Sequence, residues 1–177
     1  DELFRIKNIE IQNNQLINKN EIKKKLQNIY EKNIFFIKQK DIENPIGKMD
    51  FLEKIEVKKK YPNTVIVKIF ETKPIGFIYK DNVKYLLDSS SNLILLQKHM
   101  NFERLPNVFG DEAEKDLVNF LNRLEINNFP KKEIKNMYYF QIERWDLQLL
   151  NDKIIKFPHK VTDKIIKKSI DLLNRKD

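Results

Sequence analysis

Phe51-Leu-Glu-Lys-Ile-Glu-Val-Lys-Lys-Lys-Tyr61-Pro62-Asn63-Thr64-Val-Ile-Val-Lys-Ile-Phe-Glu71-Thr-Lys-Pro74 is the stretch on which the fold turns. Residues 51–60 and 65–70 are rich in β-forming side chains. Between them, Tyr61-Pro62-Asn63-Thr64 joins a proline that presets its own φ to an asparagine that tolerates left-handed geometry. The stretch therefore predicts a hairpin. Val65, Val67 and Ile69 alternate with Ile66, Lys68 and Phe70, giving one apolar face and one mixed face. Pro74 closes the run, because proline has no N–H to give to a strand ladder.

Upstream, Phe4 and Ile6 alternate, then Ile9 and Ile11 follow after a one-step shift, which predicts a strand over 4–11 with a bulge or a change of face. Asn18 and Glu21 have the spacing of a capping box, and Ile22, Leu26, Ile29 and Tyr30 recur on one helical face. Residues 33–37 read as a short hydrophobic anchor. A second, less regular helix is expected over 40–50, interrupted at Pro45 and Gly47.

After Pro74 the pattern changes to short strands and tight turns. Strands are expected at 75–79, 83–87 and 93–96, joined by turns at 81–82 and 88–92 as an antiparallel meander. Residues 105–110 read as a loop. A helix follows with Ala113, Leu117, Phe120, Leu121 and Leu124 on one stripe and Asp111 as its cap. Strands at 137–142, 145–150 and 154–157 come next, with a turn at Asn151-Asp152. A last helix begins near Thr162 and presents Ile165, Ile166, Ile170 and Leu173 to the core.

The chain of 177 residues, 41% hydrophobic, can bury a real core as one domain or two small ones, and the change of pattern at Pro74 favours two, 1–73 and 74–177. A charged fraction of 34% and a mean hydropathy of -0.60 describe a polar surface. No run approaches the length of a membrane span. The opening Asp1-Glu2-Leu3 lacks the pattern of a leader, so any anchor is expected upstream of Asp1. With no cysteine, disulfides, thiol catalysis and cysteine-ligated zinc are excluded. The net charge of +8 invites nucleic acid as a partner, but acidic residues are interspersed with the basic ones, and attraction to an anionic membrane surface is the more natural use.

Reactive chemistry finds little support. Ser89, Ser90 and Ser91 fall in a turn, where hydroxyls bond local backbone, and His99 stands at loop distance from them. His99 and His159 are sixty residues apart without a ligand motif about either. Gly47, Gly76 and Gly110 are isolated, which rules out a glycine-rich phosphate loop. The reading is of a non-enzyme with no cofactor, no metal, no small-molecule substrate and no nucleic acid.

The order strand, helix, helix, strand, strand resembles the POTRA module, carried by Ile6, Ile9 and Ile11, by Ile22 and Leu26, and by Val57, Tyr61, Pro62, Val65, Val67, Glu71 and Pro74. Further marks follow in order: Leu86-Leu87-Asp88, Leu105-Pro106, Gly110, Arg144-Trp145 and Asn151-Asp152. Together they resemble the extracytoplasmic region of the FtsQ/DivIB family of bacterial cell-division proteins, over roughly residues 3–174. The resemblance implies an α+β fold, an N-terminal POTRA domain (β-α-α-β-β) followed by an antiparallel β-domain with flanking helices. It implies a scaffold of the divisome, anchored by a single span in the inner membrane with this region in the periplasm. FtsB, FtsL and other division proteins are the implied partners. Family members continue past a helix like 162–173 into a partner-docking strand, whereas this sequence closes at Asn174-Arg175-Lys176-Asp177.

Two surfaces are expected to bind partners. In the POTRA half, the second strand and its turn offer Glu56, Lys58, Lys60 and Tyr61, and Lys58-Lys59-Lys60 also discourages wrong edge pairing. In the β-domain, Arg144, Trp145, Leu147 and Leu149 lie on the strand to Leu150. Trp145 reads either as a core anchor or as a contact near a partner groove, and Arg144 as an exposed mate for a partner carboxylate. The alternatives are a POTRA protein guiding outer-membrane polypeptides and a basic nucleic-acid-binding protein.

Overall fold

The computed structural model describes every residue except Glu103, Lys176 and Asp177, so the last two of the closing residues Asn174 to Asp177 lie outside the described residues. The chain divides into two compact units, Asp1–Lys73 and Pro74–Asp177.

The first unit is β-α-α-β-β. Its strands are β1 (Asn8–Gln12), β2 (Leu52–Lys60) and β3 (Thr64–Glu71), ordered β1-β3-β2. β3 lies between a parallel neighbour, Ile9 opposite Val65 and Ile11 opposite Val67, and an antiparallel one, Val57 opposite Val67. The hairpin expected from 51–70 is the β2–β3 pair. Helices α1 (Lys19–Lys25) and α2 (Gln39–Ile46) bury Ile22, Ile42 and Ile46, alongside Val65, Val67 and Ile69 of β3. Each such side chain taken out of water stabilises the fold by about 1.5–3 kcal/mol.

Local chemistry moves some expected boundaries. The strand expected over 4–11 begins at Asn8, because residues Glu2–Phe4 form a 3-10 turn capped by Asp1 and Ile6 is tied to another segment. The Ile6 N–H donates to the Lys32 carbonyl at 2.9 Å, and Ile6 accepts from the Glu31 N–H at 3.0 Å. Asn18 caps α1 by accepting the Asn20 N–H at 2.8 Å, and a 3-10 turn, Gln27–Ile29, carries Ile29 to the core. α2 runs through Pro45 and stops at Gly47, where a Cβ would lie 2.9 Å from the Glu43 carbonyl oxygen.

The second unit is built on one seven-stranded sheet. In chain order its strands are β4 (Pro74–Lys80), β5 (Val83–Asp88), β6 (Leu93–Leu95), β7 (Asn107–Phe109), β8 (Ile134–Phe140), β9 (Arg144–Leu149) and β10 (Ile154–Lys156). The spatial order is β10-β9-β8-β7-β4-β5-β6. The meander expected over 75–96 is present as β4-β5-β6, whereas the expected antiparallel β-domain also holds parallel pairs and the expected loop at 105–110 contains a strand. Asn107–Phe109 is a strand, and it pairs in parallel with both β4 and β8. Two hairpin groups are thereby joined into one mixed sheet.

Ile78, Val108, Met137 and Leu147 occupy one register row and one face. They share a core with Leu117, Phe120 and Leu124 of α3 (Ala113–Ile126) and Ile166 of α4 (Asp163–Leu173). Glu112, not Asp111, is the N-cap of α3; its backbone is left-handed at φ 63° and its side chain makes no cap bond. Thr162 caps α4, its hydroxyl accepting the Ile165 N–H at 3.3 Å. The next row, Phe77, Asn107, Asn136 and Gln148, faces the other way, and its amides link β7, β8 and β9 at 3.1 and 2.8 Å.

Candidate partner-binding surfaces

Strand parity decides what β2 shows. Ile55 is buried and Val57 half-buried against the helices, so Glu56, Lys58 and Lys60 point to the open side of the sheet and are exposed. They face Lys68, Ile66 and Thr64 of β3. Lys60 reaches across that strand to Glu10, at 3.5 Å, while Lys54 and Lys68 lie over the Phe70 ring at 4.7 and 5.3 Å. β2 borders its sheet, so among the described residues no strand pairs with its outer edge. Tyr61 follows in the turn, 54% exposed and stacked on Phe35 with centroids 5.1 Å apart. The structure thus brings the four POTRA site residues together as one basic, strand-shaped border.

On β9 the expected residues part company. Trp145, Leu147 and Leu149 are exposed by only 2, 0 and 3% and belong to the core of the second unit. Trp145 is fixed from three sides: its Nε1–H donates to Asp116 Oδ2 at 2.8 Å, and its ring lies 5.2 Å from Phe120 and 4.9 Å from Tyr139. Of the two roles open to it in the sequence, the structure places it in the core one. Surface on this strand is offered by Arg144 and Gln148, both half-buried. Arg144 lies over the Phe140 ring at 4.1 Å and is paired with Asp146: its Nη2 donates to Asp146 Oδ2 at 3.5 Å, while Nε faces Oδ1 at 3.4 Å without hydrogen-bond alignment.

A cleft of about 290 Å³ opens beside Trp145, lined by Asp116, Asn119, Arg123, Glu143 and Lys160. Charges of both signs meet there. Burial, followed by the Asp116 and Glu143 carboxylates, pushes the Tyr139 phenol above its ordinary range. At the start of α3, hydrogen bonding to Lys115 holds the Glu112 carboxyl below the usual range, and the lysine is raised in turn. The arrangement suits polar contact with a protein side chain. Neither histidine joins a ligand cluster: His159 Nδ1 meets the Ile142 carbonyl, and among the described residues no three potential metal ligands converge. The expected serine turn is organised by Asp88, whose Oδ1 accepts the Ser90 and Asn92 N–H groups at 3.0 and 2.8 Å.

Glu71 matters more than its place as a sequence mark suggested. Its carboxylate accepts backbone N–H groups of Gln15, Leu16 and Ile17, all within 3.0 Å, and so fixes the loop between β1 and α1. An acid at the very end of a strand was the only available signal.

Residues 4–72, the whole β-α-α-β-β unit, match the POTRA domain of FtsQ type. Beyond that unit the likeness continues: the chain is 29% identical over 174 residues, 97% of its length, to the cell division protein FtsQ of Rickettsia typhi. The likeness is to the FtsQ/DivIB proteins of cell division. It is also 29% identical over 135 residues to the cell division protein DivIB of Clostridium tetani, and 28% identical over 117 residues to FtsQ of Rhizobium meliloti. Those two alignments cover 76% and 65% of this chain, with 50% and 37% of the relatives. The chain spans 64% of the length of the Rickettsia typhi FtsQ. No helix among the described residues is long and apolar enough to cross a membrane.

Proposed function

We propose that this chain is an FtsQ/DivIB-type, non-catalytic scaffold of the bacterial division machinery that gathers other division proteins by binding them. The division role is supported by the match of residues 4–72 to the FtsQ-type POTRA domain and by relatives that are themselves named cell division proteins. In this reading a single-pass anchor preceding Asp1 holds the protein at the inner membrane, both units lie in the periplasm, and FtsB and FtsL are among its partners.

The observation that carries the binding mode is the unpaired outer edge of β2, nine residues long and flanked by exposed Glu56, Lys58 and Lys60. An incoming strand satisfies its own backbone groups on that edge, while the lysines select for acidic side chains. In the second unit, Arg144 is the residue placed to meet a partner carboxylate.

The test places variants in the full-length protein in cells depleted of the native one. Lys58→Glu with Lys60→Glu should fold, reach the membrane, and leave later division proteins absent from the division site. Arg144→Glu should weaken binding of soluble FtsB and FtsL in calorimetry. Normal recruitment together with unchanged affinity would sink the proposal.

A further inference from the structure

Three segments of the first unit meet beside the β2–β3 turn. Arg5 bridges Asn33, the Ile6 N–H donates to the Lys32 carbonyl at 2.9 Å, and the Lys7 N–H donates to the Asn63 carbonyl at 2.9 Å. On this frame Phe4, Phe35 and Tyr61 form a row of rings with centroids 4.9 and 5.1 Å apart. The backbone beneath them is pinned: Asn33 Oδ1 accepts the Phe35 N–H at 3.0 Å, and Lys59 Nζ donates to the Phe35 carbonyl at 3.0 Å. Exposure here is high. Phe36 is 79% exposed, Leu3 55%, Tyr61 54% and Phe35 51%.

The fold does not need these side chains. In the turn Ile34–Phe36 and the residue after it, Ile34 and Ile37 are 0% and 5% exposed and anchor the segment by themselves. Phe35 and Phe36 are therefore left in water at a cost the core does not require, and a cluster of exposed apolar side chains marks a contact surface. The same segments carry Arg5, Lys7, Lys32, Lys38, Lys59 and Lys60 against Asp1, Glu2 and Glu31; Arg5 pairs with Glu31 at 3.9 Å, Lys60 with Glu10 at 3.5 Å and Lys59 with the Phe35 carbonyl, which leaves Lys7, Lys32 and Lys38 as the cations in excess.

The geometry points to this end of the first unit as a contact for an anionic lipid surface. Aromatic rings settle at the level of the headgroups, a protruding Phe36 enters the acyl boundary, and lysines on long stems reach the lipid phosphates. The occupant is a bilayer carrying acidic headgroups; the contact shares Lys59, Lys60 and Tyr61 with the end of β2, whereas Phe36, Lys32 and Lys38 lie outside that strand and separate the two readings in a test.

Flotation of the chain with phosphatidylcholine vesicles, with and without phosphatidylglycerol, tests this. Binding should need phosphatidylglycerol and weaken roughly tenfold in Phe36→Ser and in the pair Lys32→Gln with Lys38→Gln. The charge-matched pair Lys167→Gln with Lys168→Gln, exposed on α4, should bind as the parent does. Far-UV circular dichroism confirms that each variant is folded. No flotation, flotation indifferent to phosphatidylglycerol, or equal losses from the two lysine pairs would overturn the proposal. So would a self-association, seen by sedimentation velocity without any flotation, that Phe36→Ser abolishes, since a second copy of the chain would then be the occupant.

Discussion

Glu71 and Gly110 show how much of the fold rests on single residues outside the apolar pattern. Replacing the Glu71 carboxylate leaves three backbone donors of the 15–17 loop with weaker partners. Charge-assisted bonds of this kind contribute about 1.5–3 kcal/mol. Glu71→Gln is expected to lower the unfolding free energy of the first unit by about 1–3 kcal/mol and to speed hydrogen exchange at Gln15, Leu16 and Ile17. Denaturant titration and exchange mass spectrometry measure both. Gly110 has φ +120°, and a Cβ there would stand 2.3 Å from the Tyr139 carbonyl oxygen. Gly110→Ala must push β7 away from β8, and a loss of more than about 2 kcal/mol is expected in thermal unfolding of the second unit.

At the scale of elements, β9 is an internal strand whose side chains serve the core, and α3 is fastened to it through Trp145. Trp145→Phe keeps an aromatic ring between Phe120 and Tyr139 but removes the donor that reaches Asp116 at 2.8 Å. The expected cost is about 2 kcal/mol, divided between lost volume and the unpaired acceptor. The sequence contains one Trp, so Phe at this position also removes the intrinsic fluorophore. Stability is therefore read by circular dichroism. β2 is the opposite case, a border strand whose alternate residues are free to be charged because only one parity packs inward. The β2–β3 hairpin was legible because a period-2 pattern and a Tyr-Pro-Asn turn agree with each other. β7 was not, because three residues between Pro106 and Gly110 carry too little pattern; pairing on both sides makes them a strand.

At the scale of the molecule, each unit has its own core. Ile22, Ile42, Val65, Val67 and Ile69 are fully buried in the first, and a separate cluster runs from Ile78 to Ile166 in the second. Residues 1–73 produced alone are expected to unfold cooperatively, since Asp1–Lys73 forms a compact unit with both helices and all three strands of its sheet. A single sigmoidal thermal transition, with a dispersed amide spectrum, checks this. A broad, non-cooperative melt would show that the first unit borrows stability from elsewhere.

Periodicity, turn chemistry and the position of proline let the sequence alone decide the order of the elements apart from β7, the hairpin at 51–71, and the resemblance to FtsQ/DivIB. Those properties depend on neighbours a few residues apart. Tertiary structure decided the rest: that β7 joins two hairpin groups in parallel, that Trp145, Leu147 and Leu149 turn inward while Arg144 stays at the surface, that Glu71 holds a distant loop, and that Phe4, Phe35 and Tyr61 form one patch. Each of those depends on residues far apart in the chain, whose meeting is set by the packing of whole faces and leaves no local trace in the order of amino acids.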